Sequence, residues 1–181
     1  MISEIIIQNA IENKTNEFKS KIDKFSITRD VFNARLQVYI SETSKWLESA
    51  VIGELGNNTF DHNFQFLPGF PRGVFFDSSF QDEYIIIADF GIGVLGSLRT
   101  VYPEIESDLE AVEKAFTQRI SGRYPEQRGN GLKFVIENVQ NNSWNFFFQS
   151  GSACCNADES GYKFSESNTP LSGTLAILQF L

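Results

Sequence analysis

A short run of apolar residues, Tyr84-Ile85-Ile86-Ile87-Ala88, limits most strongly how this chain can fold. A continuous apolar run of this length, bounded by polar residues, is typical of a strand that is buried on both faces. Such a strand needs paired neighbours and apolar side chains above and below it. The chain has 181 residues, which is enough to supply them within one domain.

The spacing of the other apolar residues predicts four helices and four more strands. One helix is expected from Thr28, a second from about Ser44 to His62, a third over 104–120 and a fourth after Gly131. The further strands are expected at Gly73 to Phe76, Trp144 to Gln149, Tyr162 to Ser165 and Thr174 to Leu181. Because most helices precede most strands, we expect an α+β two-layer sandwich.

The first 40 residues carry the weakest pattern, since residues 8–26 are polar with only faint helical spacing. No repeat, low-complexity tract or linker divides the chain, so we expect a single globular unit. Within it we assign residues 1–40 to an extension and 41–181 to the main domain. The extension is either an arm that packs on the domain or an element for dimerisation.

The charge and the cysteines limit the class of partner and the compartment. With 15 basic and 23 acidic residues the formal charge is −8, and such a surface disfavours nucleic acid and anionic membranes as partners. No segment approaches the length of a membrane span, and the N-terminus does not resemble a signal peptide. The only cysteines, Cys154 and Cys155, are adjacent, so they pair poorly, and one His cannot complete a zinc site with them. We expect a cytoplasmic protein with reduced thiols.

One face of the helix predicted to end at His62 changes character along its length. Its residues are spaced by four, three, four and three positions, namely Leu47, Val51, Glu54, Asn58 and Asp61. The first two are apolar and the last three are polar. Either the face turns from the core towards a pocket, or the helix rotates and leaves Glu54 and Asp61 as ordinary solvated acids.

The apolar run at 84–88 leads into Asp89-Phe90-Gly91-Ile92-Gly93. Glycines there let the backbone approach a ligand, and an aspartate can accept a hydrogen bond from an amino group. Together with Gly96 these glycines also match the dinucleotide fingerprint G-x-G-x-x-G, which requires a full helix followed by a strand. Pro103 ends any helix early and 104–120 is predicted to be helical, so we reject a Rossmann site.

Two later segments also contain glycine. Arg128-Gly129-Asn130-Gly131-Leu132 opens a predicted helix, where backbone N–H groups favour an anion. The window from Lys114 to Lys133 holds five basic residues and one acidic residue, a local charge of 5 − 1 = +4. Taken alone, this segment is equally typical of a solvated basic loop. Ser172-Gly173-Thr174 opens the last predicted strand and is uninformative by itself.

In chain order the segments read E-x-x-x-N-x-x-D on a helix, D-x-G-x-G after a strand, G-x-G-L opening a helix and G-T before a closing strand. This order resembles the ATP-binding domain of the GHKL superfamily, or Bergerat fold. Gyrase, heat-shock chaperone ATPases, sensor histidine kinases, mismatch-repair ATPases and bacterial anti-sigma-factor kinases share that domain. The resemblance covers about residues 40–181. It implies a mixed β-sheet with helices on one face, and ATP held between a helix and a mobile lid over residues 94–128.

The resemblance assigns the catalytic and metal roles to the helix that ends at His62. Glu54 would orient or deprotonate the attacking water, and Asn58 would bind Mg²⁺ together with phosphate oxygens. Asp61 or His62 would line the site near the ribose or the phosphates. Since His62 is the only histidine and lies within this motif, phosphorylation of a histidine in the chain is not expected. Glu54, where histidine kinases commonly have Asn, favours an ATPase or a serine/threonine kinase.

The remaining motifs are assigned to the base and to the phosphates. Asp89 would accept from the adenine amino group, with Thr174 on the same edge of the base, and Gly91 and Gly93 would admit the base. The residues that would close on the phosphates are Arg128, Gly129, Asn130, Gly131, Leu132 and Lys133. Lys133 departs from the family pattern, because it replaces the last glycine of G-x-G-x-G and either meets phosphate or faces solvent.

We therefore expect a Mg-dependent ATP-binding protein that hydrolyses ATP or passes a phosphoryl group to a regulatory protein partner. Its ligands would be ATP or ADP and Mg²⁺. The alternative is a non-catalytic module that senses ATP and reports it to a partner. A homodimer is compatible with either function.

Overall fold

The computed structural model describes residues 1–62, 69–80, 84–118 and 130–180. The helices in these ranges are α1 Glu4–Asn16, α2 Arg29–Thr43, α3 Trp46–His62, α4 Gly93–Arg99, α5 Asp108–Thr117 and α6 Gly131–Asn141. The strands are β1 Phe25–Ser26, β2 Val74–Phe80, β3 Tyr84–Ala88, β4 Asn145–Asp158 and β5 Gly161–Gln179. Two 3₁₀ turns, Phe18–Ser20 and Ile22–Lys24, lead from α1 to β1.

The five strands form one sheet in the order β1-β2-β3-β5-β4. All four described pairs are antiparallel. The α+β sandwich is therefore confirmed, while the mixed sheet implied by the resemblance is corrected to an antiparallel one. The reason lies in the connections: β2 and β3 are consecutive and closely spaced, as are β4 and β5, and short connections join antiparallel strands.

Alternate residues of the strands enter two separate cores. On one face Ile85 and Ile87 join the main core with α2, α3, α5 and α6. On the other face Ile86 and Ala88 join a second core that includes α1 and Phe18. This alternation follows from the two-residue period of a strand. It confirms that β3 is buried on both faces, and it corrects the expectation that helices cover only one.

The second core is built by the first helix and the turn after it. Ile7, Ala10 and Ile11 of α1 are buried against the sheet. Phe18 stacks on Phe75 of β2, with ring centroids 4.0 Å apart. The start of the extension therefore packs on the domain, as the packing-arm interpretation expects.

Helix α3 is held in place by an unusually close approach to α2. A methyl group at Gly56 would lie 2.1 Å from the ring of Phe32, and one at Gly53 would lie 3.3 Å from Leu36. An alanine at Gly56 would require the fully buried Phe32 ring to move, whereas an alanine at Gly53 would require only a small shift of Leu36. Helix α2 begins after Thr28, whose hydroxyl accepts from the backbone N–H of Val31, a typical N-cap bond.

The last part of the chain forms two long strands rather than the three short ones predicted. Strands β4 and β5 pair from Asn145–Gln179 out to Asp158–Gly161. The outer half of β5 is mostly polar and that of β4 carries small side chains, so neither has the apolar signal typical of a strand. The tip is closed by the carboxylate of Asp158, which accepts from the backbone N–H of Ser160 at 2.8 Å, an Asx turn.

The described part of the predicted lid is folded onto the domain. Helix α4 ends at Arg99, before Pro103 as predicted, and Leu98 and Ile105 form a small core with Ala111 of α5. Further along α5, Phe116 joins the main core. Residues 119–128 of the predicted lid lie outside the described residues. No helix among the described residues is long and apolar enough to cross a membrane.

Candidate nucleotide-binding site

The carboxylate of Asp89 lies fully buried at the end of β3. Its Oδ2 accepts hydrogen bonds from the hydroxyls of Thr174 at 2.6 Å and Thr59 at 3.0 Å. Its Oδ1 accepts from the backbone N–H of Gly91 at 2.8 Å. Burial raises the pKa of Asp89, and the charge of Lys14 and these three hydrogen bonds oppose that shift.

The register of the sheet brings Asp89 and Thr174 together. Ala88 pairs with Leu175, and the backbone N–H of Asp89 donates to the carbonyl oxygen of Thr174 at 3.1 Å. Gly173 has φ +70°, and a methyl group there would lie 2.3 Å from the Asp89 carbonyl oxygen and 2.4 Å from its Oδ1. Glycine is required at 173 on both counts. The expectation that Thr174 lies beside Asp89 is thus confirmed.

The glycines after Asp89 fit closely against β4 and β5. Gly93 has φ +74°, and a methyl group there would lie 2.9 Å from Oγ of Ser150. That hydroxyl accepts from the backbone N–H of Val94 at 2.9 Å and donates to the carbonyl oxygen of Gly173 at 3.1 Å. Sequence reasoning missed Ser150, because serine in a strand carries no signal by itself.

A second group of predicted residues meets where α3 passes the start of α6. A methyl group at Gly131 would lie 2.5 Å from Oε2 of Glu54 and 3.9 Å from Nδ2 of Asn58. Glu54 is exposed and Asn58 is half-buried. The structure therefore brings together Glu54, Asn58 and the first residue of α6, which come from two motifs more than 70 residues apart. Both α3 and α6 are regular helices where these residues approach each other.

The face of α3 that carries the polar residues is neither wholly buried in the core nor wholly exposed to solvent. The buried residues of the helix include Val51, Ile52, Leu55 and the polar Ser49 and Thr59, whereas Leu47, predicted to face inward, is 40% exposed. Because Thr59 binds Asp89 and its neighbour Asn58 lies near Gly131, this one helix joins both groups.

The end of α3 is held by α2. Asp61 forms an ion pair with Arg29, whose guanidinium lies 5.8 Å from the centre of the Phe60 ring. This pairing was not predicted, and a contact of Asp61 with ribose or phosphate stays a prediction. His62 is the last residue of α3, and its side chain lies outside the described part of the structure.

The loop predicted to close on the phosphates is described only in part. Arg128 and Gly129 fall outside the described residues, and Asn130 is exposed directly before α6. Leu132 packs against the main core, so its apolar side chain serves packing. Lys133 is half-buried in the first turn of α6.

Lys14 of α1 is a residue of the site that sequence reasoning missed. Its side chain is 1% exposed, its ammonium donates to the carbonyl oxygen of Asp89, and it lies 3.9 Å from the centre of the Phe90 ring. A signal was available: Ile7, Ile11 and Lys14 are spaced by four and three residues, so the lysine lies on the buried face of α1. Thr59 was missed for the opposite reason, since a threonine on a buried face is ordinary.

A magnesium site built mainly from protein carboxylates is not found in the described parts of the chain, where no group of three or more His, Cys, Asp or Glu could hold a metal. The donor set around Asn58 is instead one carboxamide with Glu54 four residues before it. Mg²⁺ binds with few protein ligands when phosphate oxygens and waters complete its octahedron. The residues present fit that mode.

Comparison with protein-family models finds no family that matches this chain, and comparison with curated proteins finds no matching relative.

Proposed function

We propose that the chain binds Mg–ATP in the manner of the GHKL superfamily and uses Glu54 to activate the group that attacks the γ-phosphate. The observation that carries this proposal is the junction made by α3. Thr59 of that helix donates to the buried Asp89 carboxylate, and Glu54 and Asn58 of the same helix face the start of α6. The motif on α3 thus contacts the Asp89 motif and the start of α6, and Thr174 of the fourth motif contacts Asp89.

At the base end, the proposed ligand is the adenine amino group. A buried carboxylate that already accepts from two hydroxyls and a backbone N–H is a rigid acceptor of fixed direction. An amino group is a donor, so a carboxylate favours adenine over a base that presents a carbonyl at the same position. Gly91 and Gly93 would border the base, and Thr174 would lie along its edge.

At the phosphate end, the start of α6 supplies backbone N–H groups and the positive end of a helix dipole. Arg128, Gly129, Asn130 and Lys133 would meet the triphosphate there. The Oδ1 atom of Asn58 would hold Mg²⁺, which when bound would neutralise charge on the phosphate oxygens.

The Glu54 carboxylate is the proposed general base. It would accept a proton from water or from a hydroxyl of a protein partner while that oxygen bonds to the γ-phosphorus and the bond to ADP breaks. Water as acceptor makes the protein an ATPase, and a serine or threonine as acceptor makes it a protein kinase. The exposure of Glu54 supports either, because an acceptor can reach it. The two free thiols support a cytoplasmic location.

The test of binding compares the affinity for Mg–ATP and the thermal stabilisation by Mg–ATP in wild type and Asp89→Asn. The variant should lose most of the stabilisation, because an amide NH₂ towards the base repels an amino group. The hydroxyls of Thr59 and Thr174 can each donate or accept, so the variant should still fold. An unstabilised wild type would refute ATP binding.

The test of catalysis compares phosphate release by wild type and Glu54→Gln with Mg–ATP, alone and with candidate partner proteins. We expect turnover to fall by roughly a hundredfold or more, with binding retained. Glu48→Gln on the same helix is the matched control and should behave as wild type. Binding with equal, negligible turnover in all three proteins would favour the non-catalytic sensor.

A further inference from the structure

Helix α1 places the buried ammonium of Lys14 next to Asp89, in the proposed adenine site. Helix α1 packs on the face of the sheet opposite the main helical layer, with Ile7, Ala10 and Ile11 buried. Lys14 continues that buried face. Its ammonium reaches the point where β3 ends and donates to the carbonyl oxygen of Asp89.

One further contact and one charge interaction define the setting of this ammonium. It lies 3.9 Å from the centre of the Phe90 ring, a cation–π contact in a desolvated setting. The Lys14 charge also acts on the Asp89 carboxylate, where it opposes the effect of burial. Lys14 therefore binds the backbone carbonyl of Asp89, contacts the ring of Phe90 and changes the electrostatic potential at the Asp89 carboxylate.

Burying a lysine this deeply is costly unless its charge is used. An ammonium taken out of water loses several kcal/mol of solvation, which attraction to a nearby carboxylate can offset. A methionine would fill the same apolar face of α1 without that cost. The charge therefore points to a role beyond packing.

We propose that Lys14 is the positioning residue of the nucleotide site: its ammonium holds the Asp89–Phe90 backbone in place and supplies the countercharge for the Asp89 carboxylate that would accept from the base. The proposal rests on the proposed function for its ligand. It also makes α1 part of the site, although the family motifs begin only on α3. Lys14 does not touch the base; it acts through Asp89.

Among the residues that the structure describes, the charged groups that act on Lys14 are Asp89 at the end of β3 and Lys19 in the turn after α1. Burial lowers the pKa of Lys14 to about 8, with Asp89 opposing the shift and Lys19 adding to it. The ammonium therefore loses its proton as pH rises through that value. Deprotonation removes the countercharge, so the affinity for Mg–ATP should fall at alkaline pH.

The first experiment measures Mg–ATP affinity across this pH range in wild type, Lys14→Met and Lys19→Met. At neutral pH Lys14→Met should bind Mg–ATP about tenfold more weakly or worse, the size of effect expected when a hydrogen bond to a buried charged acceptor is weakened. It should also lack the alkaline loss of affinity. Lys19→Met is the matched control, because Lys19 lies 4.0 Å from the Phe70 ring and is exposed. It should keep the alkaline loss of affinity, moved to slightly higher pH because Lys19 no longer lowers the pKa of Lys14.

The second experiment needs no nucleotide. Melting temperatures of wild type, Lys14→Met, Asp89→Asn and the double variant form a double-mutant cycle. We expect Lys14→Met to lower the melting temperature much less when residue 89 is Asn, because no buried charge is then left unpaired. If Lys14→Met lowers the melting temperature equally in both backgrounds, Lys14 acts only through its hydrogen bond to the backbone carbonyl. That result would overturn the proposal.

The two experiments separate the possible failures. An alkaline loss retained in Lys14→Met would also overturn the proposal for Lys14, even where ATP binds. If wild type fails to bind Mg–ATP, the proposed function falls, and the cycle alone then decides whether Lys14 holds the Asp89 charge.

Discussion

The hydroxyl of Thr174 donates a 2.6 Å hydrogen bond to the carboxylate of Asp89, across a sequence separation of 85 residues. The bond joins β5 to the end of β3. Since Thr59 of α3 donates to the same oxygen at 3.0 Å, three elements converge on one carboxylate. Removal of either hydroxyl should therefore change the pKa of the Asp89 carboxylate.

We expect Thr174→Val to destabilise the protein by about 1–3 kcal/mol, the range for a lost hydrogen bond to a buried polar group. The loss should depend on pH. The Thr174 bond lowers the pKa of Asp89, which burial holds above its ordinary value. The folded state thus binds more protons than the unfolded state in the window above the ordinary aspartate pKa, so stability falls as pH rises through that window.

In Thr174→Val the pKa of Asp89 in the folded state is higher still. The pH range in which the folded state binds more protons than the unfolded state is therefore wider. The difference from wild type should therefore be small near the ordinary aspartate pKa of about 4 and should grow as the pH rises above it. Urea unfolding at several pH values measures it. Thr174→Ser is the matched control, since it keeps the hydroxyl. A loss that is the same at every pH would contradict the role assigned to the bond.

Gly173→Ala should be among the most damaging single changes in the chain. The residue has φ +70°, and the new methyl group would lie 2.3 Å from a backbone oxygen that cannot swing aside. Gly69→Ala is the matched control, because Gly69 has φ +82° with nothing within 4 Å. The control should cost only the left-handed strain of about 1–2 kcal/mol.

Chemical denaturation of the two alanine variants separates the cost of left-handed backbone strain, which both share, from the cost of the steric clash with Asp89, which only Gly173→Ala has. Gly173→Ala is expected to lose several kcal/mol, or to fail to fold at the temperature where Gly69→Ala is intact. Equal losses would show that the contact with Asp89 is not tight in solution.

Gly131→Ala should separate catalysis from stability. A methyl group at this position meets the far end of the exposed Glu54 side chain, which can move, and the residue has no left-handed φ. Replacing a helical glycine removes backbone entropy from the unfolded state, so stability should stay level or rise by up to about 1 kcal/mol. Turnover of ATP should fall, because the Glu54 carboxylate is displaced.

A double variant tests this explanation. In a Glu54→Ala background the alanine at 131 should have no further effect on turnover, because the group it displaces is gone. A further loss there would place the effect of residue 131 on the phosphates instead. Initial rates of phosphate release and melting temperatures give both readouts.

The two thiols should be inert in the folded protein. Adjacent residues in β4 point to opposite faces, so Cys154 lies in the second core and Cys155 in the main core. Burial raises the pKa of Cys154 to about 11 and that of Cys155 to about 12. At about pH 8 roughly one Cys154 side chain in a thousand is then ionised, and the thiolate is the reactive form.

A thiol reagent should therefore label neither cysteine of the native protein at about pH 8 and both in urea. Rapid labelling of one thiol under native conditions would show that β4 opens locally. The rate as a function of urea concentration distinguishes local from global opening.

The sequence predicts best where one local rule determines the structure. Strand β3 has the predicted bounds, Tyr84–Ala88, because a continuous apolar run between polar residues has few alternatives. Helix α6 begins at Gly131 and α3 ends at His62, as their apolar spacing indicates. The proximity of Asp89 and Thr174 could be predicted only from the order of the motifs.

The remaining features depend on tertiary contacts that no local pattern encodes. The polar half of β5 is a strand because β4 pairs with it, residue by residue, as far as Gly161. Helix α1 has a weak pattern because Lys14 interrupts its apolar face, and only the position of Asp89 explains why a lysine is there. Ser150 fits against Gly93 through a bulge in β4 that sequence alone does not locate.

The position of β5 in the sheet has a consequence for the order in which the protein assembles. It is the last of the described strands in sequence order, yet it lies between β3 and β4. During synthesis the ribosome therefore delivers β1, β2 and β3 long before the partner that closes their open edge. Pairings this distant in sequence form slowly, so the half-built sheet exposes an apolar edge that chaperones would recognise, and a ribosome stalled before β5 would leave a chain prone to aggregation.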